Sequence, residues 1–456
     1  MRTLLLNPPK GRKAMYVSRE EYGIGLTDCD FLPSGIFLAA AYLRAMGKDA
    51  DALDAETASV SFNGYDVVVV WVCILHSFYD DVELLRRAKY NGKRTVMILN
   101  DAYDGLEMEA MQCFTFIDAS VRLWEREIAL GKLLSKWEEN GDPDFPGVIF
   151  RKDSELVDTG LMPHLPNSEH LPSCAALLKE TPLRRYRAAA ITTGRGCPMG
   201  HTFCLYSRSG LRRRRVEDVV DEIEAISSVG RVLIIDPAMP TAAEWRDEFC
   251  AQLVSRGIEV SWRTDAHVRE CEPGVLRRLK EAGCDAIMLG VESLDGDIAR
   301  KVKGGMSPER LKACAENLKR AGIVLVPVFH IGFPWDSDET LSKLARFLKD
   351  VPLPSFILKQ VRPWPGTLLY QQFRELGLLD RDLAINDYVH SDYPVAGTLY
   401  LSREQVEQWK HSIRRSAILN PRYIWRFLLE RKRVTARQAG LFLRLTLGGR
   451  GDWYEK

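Results

Sequence analysis

Residues 193–204 read Thr-Gly-Arg-Gly-Cys-Pro-Met-Gly-His-Thr-Phe-Cys and begin at the end of an apolar run that predicts a β-strand. The stretch places Cys197, His201 and Cys204 on one loop at the spacing C-x3-H-x2-C. Thiolate and imidazole are both iron ligands, and glycines let the backbone come close to a bulky group. A loop with two cysteines is, by itself, more often an ordinary turn than a metal site. The segments on either side therefore decide how the loop is interpreted.

Around this loop, apolar runs alternate with amphipathic helical patterns. Six strand–helix units between residues 186 and 380 predict a partial (β/α)6 barrel of parallel strands. In such a barrel, ligands bind at the carboxyl ends of the strands. The predicted strands cover residues 188–193, 232–236, 260–264, 286–291, 324–331 and 356–361.

An earlier alternation over residues 1–140 predicts a Rossmann-like, doubly wound α/β sheet. Its predicted strands cover residues 2–7, 48–53, 65–72 and 95–99, and its predicted helices cover residues 34–46, 80–91 and 119–137. Prolines and weak periodicity over residues 141–185 predict a linker. Residues 381–456 predict a basic helical C-terminal region that caps the barrel.

The composition excludes several classes of protein. The net charge of +1 gives no reason to expect nucleic-acid binding, and the hydrophobic fraction of 46% is ordinary for a globular chain. No apolar stretch approaches the roughly 20 residues of a membrane span. The ten cysteines are scattered through 456 residues, which argues against a disulfide scaffold. We expect a cytoplasmic protein.

Further motifs follow the predicted strands in a fixed order. Phe203 precedes the last cysteine of the loop, and the motifs at the later strand ends are Asp236, Gly290-Val291-Glu292-Ser293, His330-Ile331-Gly332-Phe333-Pro334 and Arg362-Pro363-Trp364-Pro365-Gly366-Thr367. This series resembles the motifs of radical S-adenosylmethionine (SAM) enzymes, which carry C-x3-C-x2-C after the first barrel strand. A sheet domain that opens with Asn7 and Pro8 makes the chain similar to the cobalamin-dependent branch of that family.

The resemblance implies three cofactors. It implies a [4Fe-4S] cluster on Cys197, His201 and Cys204. It implies SAM beside Phe203, Asp236, His267, Glu292, Ser293, Ile331, Gly332 and Gly366. It implies cobalamin beside Asn7, Pro8 and His76, although the D-x-H-x-x-G cobalamin motif is absent and a lone histidine such as His76 is more often structural.

The resemblance also implies an activity. A 5′-deoxyadenosyl radical would activate an unreactive carbon of a small-molecule or lipid intermediate, which would then be methylated, with flavodoxin or ferredoxin as electron donor. Two alternatives stay open: a cyclase or rearrangement enzyme without methyl transfer, and a non-catalytic SAM- or cobalamin-binding partner protein. The second is favoured by His201, which replaces the central cysteine, and by His267, which stands where relatives often have arginine.

Two charged segments have open interpretations. Residues 212–215 are four arginines that predict a solvated face, with a SAM or substrate contact as the alternative. The basic helices after residue 380 interleave arginine with aromatic and leucine residues. They predict a lid over the barrel, with peripheral membrane contact as the alternative.

Overall fold

The computed structural model describes most of the chain, namely residues 1–9, 31–73, 77–99, 105–122, 124–186, 188–236, 239–351, 353, 356–389 and 394–418. Within these ranges the chain forms two seven-stranded sheets and a two-stranded hairpin. No described helix is both long enough and apolar enough to cross a membrane.

The N-terminal part of the chain builds the first sheet and contributes one short strand to the second. Its elements are β1 (Arg2–Asn7), β2 (Phe31–Leu32), α1 (Ser34–Ala45), β3 (Asp49–Asp54), β4 (Val67–Val72), α2 (Phe78–Tyr90), β5 (Arg94–Leu99), α3 (Leu106–Cys113), β6 (Ala119–Val121), α4 (Arg126–Glu138), β7 (Val148–Lys152) and β8 (Glu155–Asp158). The strand order is β3-β1-β4-β5-β6-β7-β8, and the first five strands are parallel. All six residues of β4 are buried, as expected for a parallel strand with helices on both faces.

The strand order of this sheet reverses at β1. Strand β1 pairs with β3 on one side and with β4 on the other, which is the flavodoxin-like order. The connections therefore leave β1 and β4 in opposite directions, and a crevice opens at their carboxyl ends. The structure confirms the predicted doubly wound sheet, and it places Asn7 and Cys73 at this crevice.

The structure differs from the sequence prediction at the far edge of this sheet. Residues 119–137 were predicted as one helix, which is wrong, because β6 takes the first three residues and α4 begins only at Arg126. A three-residue strand is too short to show a period of two. The predicted linker also contributes β7 and β8, which pair antiparallel around Asp153 and Ser154. Both turn residues have positive φ, 46° and 72°, as a tight hairpin turn requires.

The second sheet forms the barrel. The remaining elements are α5 (Ala175–Glu180), β9 (Ala188–Ile191), β10 (Gly194–Arg195), β11 (Arg212–Arg213), α6 (Val216–Ala225), β12 (Arg231–Ile234), α7 (Ala243–Ser255), β13 (Ser261–Ala266), α8 (Pro273–Glu281), β14 (Cys284–Glu292), α9 (Gly296–Val302), α10 (Pro308–Ala321), β15 (Val324–Ile331), α11 (Asp338–Asp350), β16 (Ile357–Gln360), α12 (Leu368–Glu375), α13 (Ile385–Val389) and α14 (Arg403–Ile418). The order β16-β15-β14-β13-β12-β9-β2 is parallel throughout.

The six predicted barrel strands are confirmed, and β2 adds a seventh strand at the β9 edge. All six run in sequence order, so their carboxyl ends lie along one rim. One hydrophobic core joins the two sheets, since Leu5 of β1 and Val96 of β5 share it with Ile191 of β9 and Ile287 of β14. Helix α14 packs on α11 and β16, so the described part of the C-terminal region covers the last barrel strand.

Candidate functional site at the rim of the barrel

The loop with the two cysteines is closed at its base by a hairpin. Strands β10 and β11 pair antiparallel, with Gly194 opposite Arg213. Inside the loop, the Cys197 amide donates to the Tyr206 carbonyl at 3.0 Å. Gly196 has a φ of +79°, and a Cβ there would lie 2.1 Å from the carbonyl oxygen of Gly210. Only glycine fits this position, and it lets the two legs of the loop pack against each other.

The three candidate ligands lie on this loop in partly buried surroundings. Cys197 is only 5% exposed, while His201 and Cys204 are half-buried. Burial raises the pKa of the Cys197 thiol. Burial also lowers the pKa of His201, so the imidazole is neutral and has a lone pair to give. Metal binding would displace the thiol protons.

These donors fit an iron–sulfur cluster better than a single metal ion. Among the described residues, no group of three or more His, Cys, Asp or Glu side chains is arranged to hold one ion. A four-iron cluster places a different requirement on its ligands, because each ligand binds a separate iron. Two thiols and an imidazole on one glycine-rich loop can supply three of those ligands, so the residues present fit the cluster.

Glu292 lies at the end of β14 and faces the loop. The strand ends in a bulge, and Glu292 has a φ of 60°, a strained conformation for a residue with a side chain. Its carboxylate is buried and contacts Nδ1 of His330 at the end of β15. Phe203 bridges the loop and the barrel, with its ring centroid 5.1 Å from that of His201 and 5.2 Å from that of His330. The structure therefore brings Phe203, His201 and Glu292 together.

The other predicted SAM residues at the later strand ends also lie on this rim. The Ser293 hydroxyl accepts a hydrogen bond from the Asp295 amide at 3.1 Å. Ile331 is buried, and Gly332, with a φ of +90°, donates its amide to Asp336 at 2.8 Å. Gly366 has a φ of +81° and precedes α12. Their contact with SAM stays a prediction.

Asp236 and His267 have partners within the protein. The Asp236 carboxylate is buried and accepts hydrogen bonds from Thr193 and from Arg213, the latter at 3.0 Å. Nδ1 of His267 accepts from the Arg269 amide at 3.4 Å. Burial and the nearby Arg269 lower the pKa of His267 to about 4, so the ring does not offer a positive charge at neutral pH. A role for either residue in SAM binding stays a prediction.

The arginine run does not form a solvated face, because Arg212 and Arg214 are 3% and 1% exposed. Arg214 forms a buried ion pair with Glu222 at 2.6 Å. Arg212 contacts Glu125, the residue before α4, across the boundary between the two sheets.

A second ion pair crosses the same boundary, because Arg195 of β10 binds Glu127 of α4 with two hydrogen bonds of 2.6 Å. Helix α4 of the first sheet domain therefore holds the base of the cysteine loop. No local sequence signal marks these partners, which lie about 70 or more residues apart in the chain.

Two of the candidate cobalamin residues, Asn7 and Pro8, lie at the reversal point of the first sheet. The Asn7 amide donates to Asp54 at 2.8 Å, and Asp54 also accepts from the Tyr186 hydroxyl at 2.8 Å. Pro8 is buried directly after β1. His76 lies outside the described residues. The reversal of strand order between β1 and β4 fits a large ligand at the strand ends, and the individual contacts stay predictions.

A family model described as the radical SAM superfamily matches residues 191–348. Residues 191–348, which include the cysteine loop and most of the barrel, are therefore a radical SAM domain. The overall fold of the chain is similar to that of TsrM from Kitasatospora setae, a radical SAM methyltransferase solved with cobalamin and a [4Fe-4S] cluster bound. The TM-score is 0.66 at 16% identity, covering 86% of this chain and 82% of that one.

Two curated relatives span most of the chain. An uncharacterized methyltransferase from Pyrococcus horikoshii is 22% identical over 86% of this chain and 90% of its own length. Bacteriochlorophyllide d C-12(1)-methyltransferase from Chlorobaculum tepidum is 23% identical over 81% of this chain and 78% of its own length. Both relatives are methyltransferases by name, and the match extends beyond the barrel into the first sheet domain.

Proposed function

We propose that this protein is a cobalamin-dependent radical SAM enzyme that methylates an unactivated carbon of a small molecule. One observation carries the proposal. The loop of Cys197, His201 and Cys204 meets Glu292 at the carboxyl rim of the barrel, and the neighbouring sheet reverses its strand order. When bound, the cluster and SAM supply a 5′-deoxyadenosyl radical, and cobalamin supplies the methyl group.

The protein's own side chains would hold the cofactors and exclude water from the site. The cluster would be held by Cys197, His201 and Cys204. Phe203 lies between the loop and the barrel, in contact with the rings of His201 and His330. The rim residues Ser293 and Gly332 would position SAM. Because these rim residues are buried, the site would keep water away from reactive species.

The substrate is proposed to be a small molecule, since TsrM is also solved with tryptophan as its substrate. A lipid intermediate is the alternative substrate. We also propose flavodoxin or ferredoxin as the electron donor and the cytoplasm as the location. Membrane contact by the basic C-terminal helices concerns residues 419–456, which lie outside the described residues.

A second candidate is a non-catalytic partner protein that binds SAM or cobalamin. The observation that favours it is His201, since imidazole lacks the negative charge of the thiolate at this position in relatives. Such a protein would bind hydroxocobalamin or SAM and would hold no complete cluster.

One experiment separates the two candidates. The full chain is reconstituted anaerobically with iron and sulfide, reduced with dithionite and incubated with SAM, and 5′-deoxyadenosine is measured by chromatography. The double variant with both Cys197 and Cys204 changed to alanine is the control. Release of 5′-deoxyadenosine by the wild type alone supports the enzyme. Equal background in both proteins, together with saturable hydroxocobalamin binding, supports the partner protein.

A further inference from the structure

The imidazole of His201 lies in a space that the protein leaves open for it. The ring stacks on Phe203 at an interplanar angle of 17°. On another side lies Gly304, where an added Cβ would be 2.9 Å from Cδ2 and 3.0 Å from Nε2 of His201. Gly304 is not among the glycines with positive φ, so its backbone does not require glycine. The space taken by the imidazole accounts for glycine at this position.

The side chain of Glu292 approaches the same point. The Cγ of Glu292 lies 3.2 Å from the position that a Cβ of residue 304 would occupy. Nε2 of His201 lies 3.0 Å from the same position. The carboxylate is buried, and His330 contacts it through Nδ1. The strained φ of Glu292 and the bulge before it turn this side chain toward the loop. A single buried carboxylate thus lies between two histidines, one of which is a candidate cluster ligand.

The exchange of cysteine for histidine creates two problems that a carboxylate can solve. Two thiolates and an imidazole carry one negative charge fewer than three thiolates. An imidazole also has two nitrogens, and only one of them can face the iron. Histidines that bind metal usually donate their other N–H to a carboxylate or carbonyl, which fixes the ring and raises its basicity as a ligand.

We propose that Glu292 replaces the missing thiolate charge by holding one ring N–H of His201, so that the other nitrogen binds iron, and that Gly304 provides the space for this arrangement. His330 holds Glu292 from the opposite side. The inference rests on the proposed cluster, and it assigns to Glu292 a positioning role that a chain with cysteine at residue 201 would not need.

The test uses four full-length proteins: wild type, Glu292→Gln, His201→Cys and the double variant. Each is reconstituted anaerobically, and the iron that survives increasing chelator is measured. The cluster is also examined by electron paramagnetic resonance for nitrogen hyperfine coupling. Loss of an outer partner of a metal-bound histidine costs about 10–100-fold in metal affinity. We expect that loss for Glu292→Gln in the wild-type background, with an altered nitrogen coupling, and no loss in the His201→Cys background.

Gly304→Ala gives an independent arm. It should lower iron retention in the wild type and have less effect with cysteine at residue 201, because the thiol side chain is smaller than imidazole. Gly274→Ala is the matched control, since a Cβ there meets nothing within 4 Å. Melting temperatures of all variants separate loss of iron from loss of fold.

Several results would overturn the inference. Equal iron loss on Glu292→Gln in both backgrounds would mean that Glu292 acts on the fold or on SAM. Unchanged iron and unchanged nitrogen coupling would remove Glu292 from the cluster site while leaving the proposed enzyme intact. A wild type without iron, beside a His201→Cys variant that holds it, would refute the cluster of the wild-type protein and this inference with it.

Discussion

Replacing either partner of the contact between Arg212 and Glu125 should cause a large loss of folding stability. The two side chains are 3% and 0% exposed, and they join the base of the cysteine loop to the start of α4. Removing one partner of a buried ion pair costs about 3–5 kcal/mol, because the other charge is left in a poorly solvating interior. Arg212→Met should fall at the low end, about 3 kcal/mol, because Arg195 remains 3.3 Å from Glu125.

The converse change should cost more. In Glu125→Gln, Arg212 stays buried, and its Nε and Nη2 already have no hydrogen-bond partner among the described residues. We expect about 5 kcal/mol for this variant, the upper end of the range. The matched control is Arg300→Met, since Arg300 and Asp297 form an ion pair in which both side chains are 75% exposed. Exposed pairs contribute about 0–1 kcal/mol.

The assay is urea unfolding of the apo protein at neutral pH, with amide hydrogen exchange of residues 194–213 as a local readout. We predict that stability decreases in the order Arg300→Met, Arg212→Met, Glu125→Gln, and that amide exchange in the hairpin accelerates only in the last two variants. If Arg212→Met and Arg300→Met had the same unfolding midpoint and the same exchange rates, α4 would not anchor the cysteine loop.

Three further predictions concern the loop and the barrel. Changing Cys197 and Cys204 together to alanine should abolish iron and sulfide binding after anaerobic reconstitution, and retained iron would show that the ligands lie elsewhere. Gly196→Ala should unfold at clearly lower urea than Gly210→Ala and hold less iron, because a Cβ at Gly196 meets backbone at 2.1 Å and one at Gly210 meets nothing within 4 Å; equal midpoints would contradict the loop packing. Burial raises the pKa of Asp336 to about 6, so the free energy of unfolding should fall by about 2 kcal/mol as pH rises from 4 to 7. Asp336→Asn should remove this pH dependence. If urea unfolding at pH 4 and pH 7 gave the same change in unfolding free energy for the wild type and for Asp336→Asn, the prediction would be wrong.

Most of the barrel could be predicted because its strands are rich in apolar residues. Strand β9 is buried throughout, and β15 is apolar in every residue except His330. Residues 324–331 were therefore predicted with the bounds that β15 has. Parallel strands in sequence order also place their carboxyl ends on one rim. For that reason, polar residues far apart in the sequence, such as His201 and Glu292, could be expected at one site.

The rest depends on contacts that leave no local trace. The hairpin around Asp153 was hidden by flanking prolines, and its strands lie at a sheet edge where the apolar pattern is weak. The buried arginines at 212 and 214 look like a solvated run in the sequence, because only the fold brings Glu125 and Glu222 to them. The same holds for Gly304, whose proximity to His201 is a property of the tertiary structure.

Cys197, His201 and Cys204 are the proposed ligands of an iron–sulfur cluster in this protein. The most direct test is one iron and sulfide assay on three anaerobically reconstituted proteins: wild type, His201→Ala and His201→Cys. We predict full cluster occupancy in the wild type, a clear loss in His201→Ala, and occupancy in His201→Cys at least equal to that of the wild type. Equal iron in the wild type and His201→Ala would contradict it, because His201 would then not be a ligand.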